Sequence, residues 1–557
     1  MRLYNELKEK CMRLYNELKE KFLNKYSLKT DSLKNKALGH NKNVSFKNMA
    51  CLALSMSALL FISACGGGQG KGDSEMESGK NSNERKLVIS LEAEDGSFTG
   101  DKVGIDTKIS GYSGDGYVSG FENDGDKVDI TLSVDEEGFY DLDLVCSVTG
   151  GYKENYILVD GESLGSIAGE KEEFESFTVP RVYMTAGQHT ITVQKYWGYI
   201  NLDKIDVMTS PELDTSIYTD ISPEPVNPNA SENARRLYKY LLDNYGKNII
   251  SGQYSDEGIY GQEMAVIWKE TGKFPAMVGL DMIEYSPSRV ENGSKGLSVE
   301  KALEAWENNS IVTMCWHWNA PSKYITGNWY SAFYADSTNI DLDRIMEGKD
   351  QEGYDLLISD MDAIAKELIP LKEADVPVLW RPLHEASGGW FWWGDCKPES
   401  YLKLYNLMYD KLVNEYELNN LIWVWNGQNN DWYPGDDKVD IIGTDIYPGN
   451  HVYTSQYPKY NECVNVPGLY ADENTKYKYK IVTLSENGCI PDPDLAVRDG
   501  AMWSYIGTWS GEFIVGNGAF NVLSEEYTEK DIINKFYNHE NVITRDELPD
   551  LKTYEYQ

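Results

Sequence analysis

The chain has 557 residues, a net charge of −37 and 12% aromatic content, including 15 Trp and 39 Tyr. That length fits two to four domains, and a hydrophobic content of 41% excludes a disordered chain. The acidity excludes nucleic acid and anionic lipid as partners, since both need a basic surface, and leaves a neutral ligand whose flat faces suit Trp and Tyr.

Residues 1–48 hold 12 Lys and Arg against five Asp and Glu, so the acidity belongs to the rest of the chain. Met49–Ala64 reads MACLALSMSALLFISA, an uncharged run of 16 residues. It is too short to span a membrane, which takes about 20 residues, and reads as the h-region of a signal peptide. The following Ile62-Ser63-Ala64-Cys65 resembles the bacterial lipoprotein signal. That resemblance implies lipidation at Cys65, a membrane anchor and an extracytoplasmic location, at the cell surface or secreted. Residues 1–22 hold two near-identical copies of an 11-residue unit, MRLYNELKEKC and MRLYNELKEKF. Two copies are too few for a coiled coil, and residues 1–43 are read as an over-extended start within a leader of 1–65. Five cysteines follow Cys65 with no C-x-x-C spacing, so neither a zinc site nor a disulfide framework is indicated.

Residues 66–86 are Gly-, Ser- and Lys-rich and read as a flexible tether. From 87 to 208, runs such as KVDITLSV, YDLDLVCSV, HTITVQKY and INLDKIDVM alternate apolar and polar residues between Gly and Asp clusters. That pattern predicts an all-β sandwich, jelly-roll-like, with one face of each sheet buried. Residues 209–229, with Pro211, Pro223, Pro225 and Pro228, read as a linker.

From 230 to 557 apolar strands alternate with amphipathic helices. Eight candidate strands cover 248–254, 275–285, 310–318, 377–385, 421–427, 439–448, 480–488 and 501–510. Near-continuous apolar runs mark strands buried on both faces, and eight β/α units predict an α/β fold of the (β/α)8 TIM barrel type. The alternative, an open doubly wound sheet, lacks a G-x-G-x-x-G or P-loop after its first strand.

A barrel carries its site where the strands end. The fourth strand ends Trp380-Arg381-Pro382-Leu383-His384-Glu385 and the seventh Ser485-Glu486-Asn487-Gly488. A Glu at the tip of an apolar strand has no packing role. Two such carboxylates about 5–5.5 Å apart are what a retaining glycosidase needs. Each Glu alone fits a salt-bridged strand end equally well; the pair is the stronger signal. His384 lacks the second His of an H-E-x-x-H zinc helix. Trp380, Trp390, Phe391, Trp392, Trp393, Trp423, Trp425 and Trp432 crowd these tips, as core, loop packing or saccharide platforms.

WRPLHEASGGWFWWG (380–394), HWNAP (317–321), TDIYPG (444–449) and TLSENG (483–488) resemble the family 26 glycoside hydrolases, chiefly endo-β-1,4-mannanases, over about residues 230–541. The resemblance implies double displacement with no cofactor for catalysis, Glu385 as acid/base and Glu486 as nucleophile. It further implies that Tyr447 hydrogen-bonds the nucleophile, that Asp445 holds a sugar, and that His317, His384, Trp393 and Trp509 line the cleavage point. Trp503 rivals Trp509 as the platform of the eighth strand. LEAEDG (91–96), SGYSGDGYVSGF (110–121) and YWGYINLDKIDV (196–207) resemble the family 35 carbohydrate-binding modules. That resemblance implies a structural Ca²⁺ held by Glu92, Glu94 and Asp203, with Asp206 as competitor. Trp197 is either a sugar platform or, with Tyr196, a cap on the sandwich core.

Together these resemblances imply an enzyme acting on β-mannan, and a monomer is expected. Mixed-linkage β-glucanase and β-1,3-xylanase, found in the same family, are the alternatives within enzymes. A non-catalytic surface glycan-binding lipoprotein would need a barrel that had lost its acids, and a solute-binding protein would not carry eight β/α units.

Overall fold

The computed structural model describes residues 84–556, apart from 152, 170, 455, 472–474 and 517–520. The leader, its repeat, the h-region, Cys65 and most of the tether lie outside the described residues.

Two antiparallel sheets form the sandwich. One is built from Gly104–Asp106, Tyr117–Ser119, Ile200–Thr209, Gly138–Val148 and Glu175–Met184 in that order, with Leu87–Glu92 also paired to Ile200–Thr209. The other runs Ser97–Thr99, Lys127–Val134, Gly187–Lys195, Lys153–Val159 and Glu162–Gly169. The strict alternation of KVDITLSV turns Val128, Ile130, Leu132 and Val134 inward. They meet Leu144, Ile157, Ile191, Val193, Leu202 and Ile205 in one core. The edge strand Glu175–Met184 carries Pro180 in its middle. The ladder passes from Tyr140↔Val182 to Leu142↔Val179, so Pro180 and Arg181 bulge opposite Asp141, with Arg181 at φ 54°. An edge and a bulge are the two places where a strand tolerates proline.

Eight parallel strands close into the barrel: β1 (Ile249–Tyr254), β2 (Met277–Asp281), β3 (Ile311–Trp316), β4 (Val378–Pro382), β5 (Leu421–Trp425), β6 (Ile441–Ile446), β7 (Ile481–Asn487) and β8 (Tyr505–Thr508). Closure is made on β1, where Gly252 pairs with Met277 of β2 and Ile250 with Tyr505 of β8. Val542–Ile543 adds a short parallel strand beside β1. Every residue of β1, β3, β4, β5 and β7 is buried, as strands covered on both faces must be.

The helices around the barrel follow from their caps and stripes. Ser231 accepts from the Ala234 N–H at the start of Glu232–Asn244, and Asp350 from the Gly353 N–H at the start of Gln351–Glu373. The second helix buries Leu357, Met361, Ile364, Leu368 and Leu371 against the barrel, a stripe at helical spacing. Its capping and its apolar face therefore agree on where it begins and which way it turns.

Segment 209–229 is more than a linker. Thr215–Tyr218 forms a helical turn, Ile217 and Ile221 are buried, and Ile221 bridges to Tyr479. At the joint with the sandwich, the Arg181 guanidinium lies 4.1 Å from the Phe139 ring and 5.3 Å from Tyr457, and donates to the Asp499 carbonyl. The five cysteines beyond Cys65 are free. Among the described residues, no helix is long and apolar enough to cross a membrane.

Candidate active site

The site grows from polar residues at the C-terminal ends of the strands. Arg381, in β4, is fully buried inside the barrel. It donates to Asp445 Oδ2 of β6 (3.2 Å), to Glu486 Oε1 of β7, and to the Tyr254 hydroxyl of β1 (3.3 Å). Gly279 of β2 makes room for Tyr254, because a Cβ there would collide with the Tyr254 ring. A buried guanidinium is tolerable because two carboxylates meet its fork, and they are tolerable because of it.

Pairing of β4 ends at Pro382, three residues earlier than the sequence pattern suggested. Glu385 therefore sits in a turn, not on the strand. Leu383 and Glu385 both adopt left-handed backbone, at φ 51° and 54°. Non-glycine residues hold this conformation only where the surroundings over-determine it, commonly at functional sites. Here the Glu385 N–H donates to the Asn426 carbonyl (2.7 Å) and the Trp393 indole to the His384 carbonyl (2.8 Å).

The turn brings Glu385 over Glu486. Carboxylate oxygens of Glu385, Asp445 and Glu486 all lie within 4.8 Å of one another. The two glutamates nevertheless have opposite surroundings. Glu486 accepts from Arg381 and from the Tyr447 hydroxyl (2.6 Å). Among the described residues, the Trp390 indole is the side-chain N–H donor to Glu385 (3.0 Å). Burial, and then the charges of Asp445 and Glu486, push the Glu385 carboxyl well above the usual range. Burial also raises Asp445, against the pull of Arg381. Tyr447 is pushed well above a free phenol by burial and by the acids around it, so it stays a donor. The cluster thus sets Glu385, whose proton is favoured, beside Glu486, which accepts from two donors, the division of labour that acid–base chemistry needs.

Not every residue expected in the cleft faces it. Trp393 is fully buried, with its ring stacked on Phe391 at 4.6 Å. It supports the wall instead of forming it, because an indole that donates to His384 is held behind the turn. Trp390, half-buried with its N–H on Glu385, is the Trp of that segment that reaches the acids. His384 is also fully buried, and burial, with the nearby Arg381 and His317, keeps its ring neutral. The Asp445 side chain is enclosed by Arg381 and Asn426, so its contact is with the acid cluster. His317 is partly exposed and meets Trp509 at 5.7 Å. Trp509 packs on Tyr254 at 4.6 Å, whereas Trp503 is buried and donates to Gln456. Trp509 is therefore the strand-eight aromatic at the cleft.

The sequence motifs assign no role to Arg381, Asn426, Tyr254 or the exposed Tyr334, which stacks on Phe391 at 5.7 Å, and place Trp390 only among the aromatics at the strand tips. The signal for the first three was present as polar residues at the ends of apolar strands.

In the sandwich, Glu92, Glu94 and Asp203 converge on the turn Ser113–Asp115. Ser113 Oγ donates to Glu92 (2.8 Å), the Ser113 N–H to Asp203 (2.8 Å), and the Asp115 N–H to Glu94 (2.7 Å). Glu94 Oε2 is buried with no donor, and the charge of Glu94 adds to burial in raising Asp203. Carboxylate oxygens are the hard donors that Ca²⁺ prefers, and the one on Glu94 lacks a partner here. Asp206 instead pairs with Lys204 and Ser90, outside that cluster. Trp197 is 56% exposed and Tyr199 54%, so Trp197 does not cap the core.

Comparison with known proteins agrees with both halves. The model of glycosyl hydrolase family 26 matches residues 226–547, and that of carbohydrate binding module family 35 matches 89–210. A mannan endo-1,4-β-mannosidase of Thermothelomyces thermophilus is 38% identical over 83% of this chain and 90% of its own length. Mannan endo-1,4-β-mannosidase B of a Piromyces species is 36% identical over 84% of this chain and 79% of its own. Among solved structures, a GH26-CBM35 β-(1,4)-mannanase of Podospora anserina matches with TM-score 0.58 and 36% identity, over 84% of this chain and 99% of that one. A ruminal GH26 endo-β-1,4-mannanase matches with TM-score 0.60 and 27% identity, over 83% and 99%. A barrel closed on eight parallel strands, with paired acids at its mouth, here belongs to a chain of glycosyl hydrolase family 26.

Proposed function

We propose that the chain is a retaining endo-β-1,4-mannanase. The observation that carries this is the carboxylate pair, with oxygens under 4.8 Å apart in unlike environments. That closeness suits a nucleophile and an acid/base in a retaining enzyme, whose acids stand nearer together than those of an inverting one. Glu486 attacks the anomeric carbon while Glu385 gives its proton to the departing glycosidic oxygen, leaving a glycosyl ester on Glu486. Glu385, now ionised, takes a proton from water, which attacks the same carbon and releases Glu486. Arg381 and Tyr447 stabilise the nucleophile's charge, and Tyr334, Trp390 and Trp509 offer ring faces to the sugar chain. The choice of mannan, and of internal cleavage, rests on the activity named for the relatives.

The sandwich is proposed to hold the enzyme on its polymer through Trp197, raising the local substrate concentration. Glu92, Glu94 and Asp203 would hold a Ca²⁺ tying its first strand to its last. Cys65 is proposed as the lipidated first residue of the mature chain, anchored on the outer side of a membrane.

The test is hydrolysis of linear mannan, galactomannan, lichenan and β-1,3-xylan with product profiling. Mixed short oligosaccharides from both mannans, and their loss in Glu486→Ala, are expected. Preferred cleavage of lichenan or xylan, or near-normal turnover by both Glu385→Ala and Glu486→Ala, would overturn the proposal.

A further inference from the structure

A chain of hydrogen bonds that the mechanism above does not use runs into the back of the Glu385 turn. Asp281 ends β2. Its Oδ1 accepts from two backbone N–H groups, Ile283 (2.9 Å) and His317 (3.1 Å), and its Oδ2 meets His317 Nδ1 at 2.6 Å. His317 Nε2 lies 3.1 Å from Nε2 of the buried His384. His384 immediately precedes Glu385, between the two left-handed residues Leu383 and Glu385.

Proton counting gives the chain a direction. Burial works against ionisation of Asp281, but His317 and the two backbone donors outweigh it and hold the carboxyl below its usual range. An ionised carboxylate only accepts, so His317 carries its proton on Nδ1. His384 is kept neutral by burial, and with its Nε2 as the donor the His317 Nε2 that faces it is the acceptor. This leaves His384 Nδ1 as a bare lone pair, which matches its burial without a partner. The opposite direction would leave a buried N–H unpaired, the more costly arrangement.

We propose that Asp281 is a positioning residue for the hydrolysis: through His317 it fixes the tautomer and the ring of His384, and so holds the strained turn that aims Glu385. This rests on Glu385 being the acid/base. The carboxylate sets the direction of the chain, and the chain supplies one of the constraints that keep left-handed Leu383 and Glu385 in place. Loss of that direction would displace Glu385 without removing any group that touches the sugar.

Asp281→Asn tests this with an isosteric side chain. The two backbone N–H groups need the amide oxygen at the Oδ1 position, so the NH₂ must face His317 Nδ1. The chain is then forced to reverse, with His317 protonated on Nε2 and His384 on its partnerless Nδ1. Nitrogen-15 NMR of the labelled enzyme should show Nδ1–H His317 and Nε2–H His384 in the wild type, and the opposite tautomers in the variant. Turnover of mannan should fall about 10- to 100-fold with KM changed less than threefold, because a displaced catalytic group costs that much. Azide should restore turnover of a dinitrophenyl β-mannobioside, which needs neither proton donation nor a base once azide is the nucleophile.

Reversed tautomers with wild-type turnover would overturn the proposal, as would lowered turnover that azide does not restore. If the variant does not fold, the wild-type spectrum alone decides: an Nδ1–H His384 refutes the direction. Failure of azide rescue in Glu385→Ala as well would instead count against the acid/base assignment, which separates the two readings.

Discussion

Arg381→Met removes the cation buried among Asp445, Glu486 and Tyr254 and leaves its volume filled. Arg381 is wholly enclosed, and both carboxylates it serves are nearly so, so no water replaces the lost charge. Breaking a buried pair from one side costs about 3–5 kcal/mol. The loss should appear in urea unfolding at pH 7. It should shrink towards pH 4, because in the variant the acids must bind protons to stay buried. Groups whose folded pKa is raised stabilise the fold below the unfolded value, about 4, and lose that contribution as pH rises. The same deficit acts on the nucleophile: about 3 kcal/mol less stabilisation of its charge lowers kcat/KM on linear mannan by at least roughly 100-fold. Arg381→Lys should fall between, since one ammonium cannot match a fork held by two carboxylates. An Arg381→Met enzyme with more than a tenth of normal kcat/KM, or with a stability deficit independent of pH, would refute the reasoning.

Further expectations concern pH, the polymer and the ion. Asp445 is one of the charges that raise the Glu385 carboxyl, so Asp445→Asn should let Glu385 ionise more easily. The alkaline limb of the kcat/KM profile should then move to lower pH; a limb that stays or moves up contradicts the electrostatic account. Trp197→Ala should weaken retention on insoluble mannan at least tenfold and leave hydrolysis of mannopentaose unchanged, by pull-down and product assay. Chelation by EDTA should lower the melting temperature of the wild type by several degrees, Ca²⁺ should restore it, and Glu94→Gln should abolish the response. An EDTA-insensitive melt removes the ion from the account.

The eight barrel strands were legible because each is an apolar run between amphipathic helices, but their ends were not. The runs at 377–385 and 501–510 continue past the last paired residues, Pro382 and Thr508, into Leu383 and Trp509, where the chain has left the sheet. Glu385 could be picked out as a strand-end acid, yet its left-handed turn depends on Asn426, distant in sequence, and on the Trp393 indole folding back onto His384. Trp390 and Trp393 look equivalent in GGWFWWG. Only the packing against Phe391 and the hydrogen bond to Glu385 tell the supporting indole from the one at the acids. Arg381 stood inside a quoted motif, but its role needs three strands to converge. In the sandwich, the bulge at Pro180 and Arg181 is visible only in the register.

The central claim is a glycosyl ester on Glu486. Incubation with a dinitrophenyl 2-deoxy-2-fluoro-β-mannobioside, followed by proteolysis and mass spectrometry, tests it directly. One disaccharide adduct per chain is predicted, on the peptide containing Leu484-Ser485-Glu486-Asn487 and at Glu486. An adduct on Glu385 or Asp445, or an anomeric product inverted in NMR with no adduct formed, would contradict it.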